Sequence, residues 1–142
     1  MRKMKMRKGF TLMELLIVIG IIAILAAIVI IAINPARQLA NSRNAQRWSN
    51  VNTILNAVHQ RAIDNSGTIT PAPAATAVCP ITQVIGTGAG EYDLASYVSA
   101  YLAVVPTDPT AGQSYTICIS AADNRVTIGA SGEIGAVISA TR

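Results

Sequence analysis

Aromatic side chains are scarce in this sequence, at 4% of 142 residues, and charged ones, at 13%, fall well below the usual quarter of a globular chain. Half of the residues (51%) are nonetheless hydrophobic. That content is therefore Ile, Val, Ala and Leu, and it is gathered in one block near the N-terminus. The single histidine, His59, has no nucleophile or acid at a recognisable spacing. There is no Ser-His-Asp or Cys-His arrangement, no glycine-rich phosphate loop and no cysteine-histidine metal cluster. Glu91, Asp93, Asp108 and Asp123 do not have the order of a calcium loop. These absences argue against an enzyme, a resident cofactor and a metal site.

Lysine is missing from everything after Lys8. The formal charge of +4 rests on Arg2, Lys3, Lys5, Arg7 and Lys8, all ahead of the apolar block. Beyond residue 9, six arginines face seven acids, which leaves the side chains at −1. With no cluster of cations interleaved with aromatics, direct nucleic-acid binding is not expected.

From Phe10 to Ile33 the chain reads FTLMELLIVIGIIAILAAIVIIAI, and Leu15 to Ile33 contains no charge. As a helix this is long enough to cross a bilayer. Five cations on its N-terminal flank place that end in the cytoplasm and the rest of the chain outside. An ordinary secretory signal ends in a small-residue cleavage site after its apolar region, whereas the sharp boundary here is Lys8-Gly9-Phe10, ahead of it. The one acid in the run is Glu14. An ionisable group in a membrane segment is costly and calls for a partner.

The basic leader ending in Gly9, followed by Phe10-Thr11-Leu12-Met13-Glu14-Leu15-Leu16-Ile17-Val18-Ile19-Gly20, resembles the type IV prepilin signature. The resemblance implies a cut after Gly9 by a prepilin peptidase and methylation of the new N-terminus at Phe10, with Glu14 at the fifth mature position; the cost of a buried charge then suggests an assembly role for Glu14, paired with the terminal amine of a neighbouring subunit. It further implies a helical filament of identical subunits, served by an assembly platform and ATPase, with the precursor held in membrane lipid. The resemblance covers residues 1 to 65 strongly and the remainder in outline. Unlike many pilins, this chain has no proline inside the apolar run, the first being Pro35.

The division expected is a cleaved leader (1–9), a membrane or filament-core helix (10–33), its amphipathic continuation (34–66) and a globular head (67–142). Asn34 and Pro35 can cap and open the second helix, and Asn65-Ser66-Gly67 can close it. Its apolar stripe is read as Leu39, Trp48, Val51, Leu55, Val58 and Ala62, with His59 at the helix surface or boundary. Arg37, Arg43 and Arg47 are expected to face lipid headgroups or acids of adjacent subunits. Residues 67–90 are read as an ordered loop tethered at Cys79.

Cys79 and Cys118, an even count after a membrane-targeting segment, suggest one disulfide outside the cytoplasm; a cytoplasmic head would instead hold two small buried thiols. Glu91–Ala103 reads as a short helix. Gln113–Ser120, Arg125–Gly129 and Ala136–Ala140 read as strands, the first two as a hairpin. The fold class is α+β, a long N-terminal helix packed on a small antiparallel sheet, pilin-like in outline. The function expected is a filament subunit of a type IV pilus; the alternatives are the major pseudopilin of a type II secretion system and a single-pass anchored extracellular binding domain.

Overall fold

The computed structural model describes residues 9–69 and 78–142. The leader, apart from Gly9, and part of the 67–90 segment lie outside the described residues. The chain divides into two compact units, Met1–Gln38 and Leu39–Arg142.

The first unit is built on helix α1, Leu12–Ile33. Among the described residues it is the one helix long and apolar enough to cross a membrane. None of its residues is buried, and apolar residues point in every direction around its axis, the pattern of a helix made for an apolar surrounding. It stops at Asn34, which adopts a left-handed backbone (φ 47°), a conformation that Asn tolerates better than most residues. Asn34 also opens the next helix, α2 (Pro35–Asp64), its Oδ1 accepting from Arg37 N at 3.3 Å. Pro35 follows as first helical residue, where its missing N–H costs nothing.

In the second unit, α2 places Val51, Ile54, Leu55, Ala57 and Val58 in the core. They meet Tyr115, which precedes the second strand, and Ile117, Val126, Ile128 and Ile138 from an antiparallel sheet in the order β1-β2-β3-β4. Its strands are β1 (Gln83–Val84), β2 (Thr116–Ile119), β3 (Val126–Ser131) and β4 (Val137–Thr141). Alternate residues of β3 and β4 enter the core, as a sheet with one solvated face requires. The short helix α3, Leu94–Val98, adds Leu94, Tyr97 and Val98 and is capped by Asp93, whose carboxylate accepts from Ser96 N at 3.2 Å. α2 ends where Gly67 (φ 81°) donates its N–H to Ala62 O at 2.7 Å. A left-handed residue just past the last turn satisfies carbonyls that the helix leaves open.

The fold is thus α+β and pilin-like, with corrections in detail. The Glu91–Ala103 helix contracts to five residues because Tyr101 and Leu102 reach the core from a turn instead. The strand expected over Gln113–Ser120 is confined to Thr116–Ile119. The 67–90 segment contains an unforeseen strand, β1, which pairs Gln83 with Ile117 and Val84 with Thr116. Leu39 and Trp48 are exposed, Trp48 at 41%, and the stripe that enters the unit is Ala40, Asn44, Arg47, Val51, Ile54, Leu55 and Val58. His59 lies on the surface.

Candidate functional site

The N-terminal segment that carries the expected chemistry begins with Gly9 and Phe10, both exposed and ahead of the first helical turn. A side chain at Gly9 would meet nothing within 4 Å. The residue pair is therefore an accessible, non-helical stretch of backbone, the form in which a peptide bond can be presented for cutting.

Thr11 is the N-cap of α1. Its Oγ1 accepts from Glu14 N at 3.2 Å, and Glu14 Oε2 accepts from Thr11 N at 3.5 Å, a reciprocal capping box. The motif satisfies two backbone donors that a helix start leaves open and sets a negative group in the first turn, where the helix dipole favours it. A carboxylate has about four acceptor positions, and the long bond to Thr11 occupies one. Glu14 therefore keeps acceptor capacity for a cation while still starting its own helix. Phe10, one residue before the cap, is the position at which a cut would create such a cation, an amine.

Two cysteines 39 residues apart in sequence meet in the head. Cys79 and Cys118 form a disulfide with a Cα–Cα distance of 5.2 Å. Cys79 N also donates to Ile119 O at 3.1 Å, so the segment before β1 is held to β2 by both backbone and side chain.

A cluster that the sequence did not announce lies in the N-terminal half of α2. Arg47, 1% exposed, grips Asp108, also 1% exposed, through Nε–Oδ2 at 2.8 Å and Nη2–Oδ1 at 2.9 Å. Its Nη1 donates to Asn44 Oδ1 (2.9 Å), and its Nη2 also reaches Thr110 Oγ1 (2.7 Å) and Glu133 Oε1 (3.1 Å). Arg43 forks onto Glu133 at 2.7 and 2.5 Å. Asn44 clamps the β3–β4 turn, donating to Glu133 O at 2.9 Å and accepting from Glu133 N at 2.8 Å.

Arg43 and Arg47 therefore do not face headgroups or neighbouring subunits as expected; their acidic partners lie 61 to 90 residues away in the same unit. The Arg43 hydrogen bonds hold the Glu133 carboxyl down at about 2. Burial pushes Asp108 upward, but the bonds from Arg47 and Thr110 N outweigh it, and the carboxyl stays below its ordinary value. One signal was available in the sequence: Arg47 falls on the helical line of Ala40, Asn44 and Val51, and a cation in an apolar register requires a buried acid.

Among the described residues no three His, Cys, Asp or Glu side chains gather as metal ligands. Asp93 caps α3, Asp108 holds Arg47, and Glu91 accepts from Gly88 N. The arrangement is one of anchoring and capping.

Residues 4–33 match the model of the prokaryotic N-terminal methylation motif. No curated protein and no solved structure matches the chain. Proteins with this motif are in general structural and not enzymatic, are processed by a prepilin peptidase and assemble into filaments. The motif and the apolar helix together fit a membrane-anchored precursor. The N-terminal segment thus carries the methylation motif that supports a type IV pilin-like precursor, prepilin or pseudopilin.

Proposed function

We propose that the chain is the structural subunit of a type IV pilus-like filament, cut between Gly9 and Phe10, methylated at Phe10 and assembled from the membrane through α1. The observation that carries this reading is a 22-residue helix with no buried residue, opened by a capping box whose acid is the only charge in the run. Moving such a helix from lipid into a bundle of identical helices exchanges one apolar surrounding for another. The hydrophobic effect therefore contributes little, and close packing and polar pairing must decide the association.

Glu14 supplies the polar term. In the bilayer it sits near the helix end, where its cost is reduced; in the bundle it accepts the Phe10 amine of a neighbour. Paired buried charges add little net stability but fix register, so Glu14 sets the stagger between subunits. The leader lies in the cytoplasm and the head outside, where Cys79 and Cys118 are oxidised. The division into leader (1–9), core helix (10–33), continuation (34–66) and head (67–142) follows from the same reading. The Pro-Thr-Asp-Pro acid, Asp108, has both oxygens engaged by Arg47 and Thr110, which supports a head built without a cation at this turn and favours the pilus over a calcium-bearing pseudopilus.

The test is Glu14→Leu. Membrane insertion and head folding are expected to be unchanged, while filaments recovered by shearing are lost. Normal filament yield from this variant would remove Glu14 from the mechanism. A chain that stays uncut beside an active prepilin peptidase would favour a solitary anchored binding domain.

A further inference from the structure

The head leaves one edge of its sheet open. The mutual hydrogen bonds of Val126 and Arg142, with the β3–β4 register of Ile128 on Ala140 and Ala130 on Ile138, turn the N–H and C=O groups of Val137, Ser139 and Thr141 away from β3. All three residues are exposed, Val137 at 83%. Among the described residues no hydrogen bond reaches these outward backbone groups. The opposite edge is different: Val84 O, on β1, already accepts from Tyr92 N at 2.8 Å, and Ile85 bridges Tyr92.

Edge strands are ordinarily protected by a lysine, a proline, a bulge or an inward charge. β4 has none of the charged or proline protections: Ile134 to Thr141 reads IGAVISAT. Because β1 is covered, a second head cannot extend the sheet head to tail. β4 can, however, pair with itself. An antiparallel β4–β4 pair centred on Ser139 sets Ser139 opposite Ser139 and Val137 opposite Thr141, so every outward N–H and C=O finds a partner.

We propose that the free edge of β4 is a self-association site that pairs with β4 of a second copy of this chain carried on a neighbouring filament. The inference rests on the filament reading. Subunits of one polar filament are related by a screw and not by a two-fold axis, so a two-fold strand pair joins separate filaments. Five residues span about 17 Å of edge, and a single such contact falls short of the roughly 1,000 Å² that a stable interface requires. Heads therefore stay apart singly and associate when arrayed, where each pair brings the next into register.

Sheared filaments of the wild type, Ser139→Pro and Val137→Lys are to be compared by electron microscopy and low-speed sedimentation. Wild-type filaments are expected to bundle. Ser139→Pro removes an outward N–H that no fold contact uses, and Val137→Lys puts a lysine on the open edge, opposite Thr141 of the second copy; both are expected to give single filaments in undiminished yield.

Ser139→Cys supplies the geometric readout. The paired Cα atoms would lie about 5.5 Å apart, within disulfide reach, and a covalent dimer is expected on a non-reducing gel, whereas Val137→Cys gives none. Bundling that survives both edge variants, or a Ser139→Cys chain that stays monomeric, overturns the proposal; the second result is also what an unrelated strand on this edge would give. Absence of any wild-type filament would overturn the filament reading, and the Ser139→Cys dimer in isolated membranes would then decide the edge pairing.

Discussion

α1 is the most apolar stretch of the molecule and has no buried residue, whereas the head with the α2 residues packed on it, thin in aromatics, buries Val51, Ile54, Ile117, Ile128 and Ile138 almost completely. The helix satisfies its backbone internally and leaves its side chains to whatever surrounds it, lipid or sister helices. The head satisfies both within one chain, the open β4 edge excepted. It adds two links that a small core needs: the Cys79–Cys118 bond and the Arg47–Asp108–Glu133 network. Apolar content alone therefore does not locate a core, and the two regions should answer differently to perturbation.

The largest separation is expected from Arg47→Ala, which strands the buried Asp108 carboxylate. It should cost the head about 3–5 kcal/mol in denaturant unfolding while leaving the helicity and membrane partition of α1 unchanged. Arg47→Met with Asp108→Leu should cost less than Arg47→Ala alone, since no buried charge is left unpaired. A larger loss in the double variant would contradict a network dominated by desolvation.

Next comes the disulfide. Cys79→Ser with Cys118→Ser frees a closed segment of about 40 residues and should lower head stability by about 2–4 kcal/mol, again without effect on α1. Urea midpoints of oxidised and reduced protein that coincide would show that the bond contributes nothing.

Acid should sharpen the contrast further. Glu133 is held at about 2 in the folded head by Arg43, against an ordinary value of 4.5. A depressed carboxyl contributes stability that is complete above pH 4.5 and is lost as the pH falls toward 2. Asp108 acts in the same direction. Head stability should therefore decline across that window, and Glu133→Gln should lower the neutral-pH plateau and flatten the slope. A slope unchanged by Glu133→Gln would place the acid sensitivity elsewhere.

The smallest effect is at Ile134, a β-branched residue with left-handed backbone (φ 56°) in the β3–β4 turn. The Asn44 clamp on Glu133 holds its neighbour in place. Ile134→Gly should relieve the strain and stabilise the head by up to about 1 kcal/mol. Destabilisation would mean that the exposed side chain contributes more than its backbone costs.

The features that local chemistry dictates were readable in the sequence. A 19-residue uncharged run, Asn34-Pro35, Asn65-Ser66-Gly67 and the alternation around Ile117 and Ile128 each signal an element through neighbouring residues. What escaped depends on contacts far along the chain. Trp48 looked like core by hydrophobicity, yet the polar stripe position beside it, Arg47, is the one drawn inward, because Asp108 and Glu133 arrive from 61 and 86 residues away. β1 escaped because two residues carry no period, and only pairing with Ile117 and Thr116 makes them a strand. At the N-terminus Glu14 was singled out by the motif it belongs to, whereas its reciprocal capping box with Thr11 was not foreseen.

The central claim is that α1 is a retained and processed assembly helix on an exported head. The most direct test is the intact, non-reduced mass of the protein from its native envelope, with peptide mapping of the N-terminus. A filament subunit should begin at methylated Phe10, with Cys79 bonded to Cys118. A chain that still begins at Met1 in cells with an active prepilin peptidase would contradict the claim at its first step.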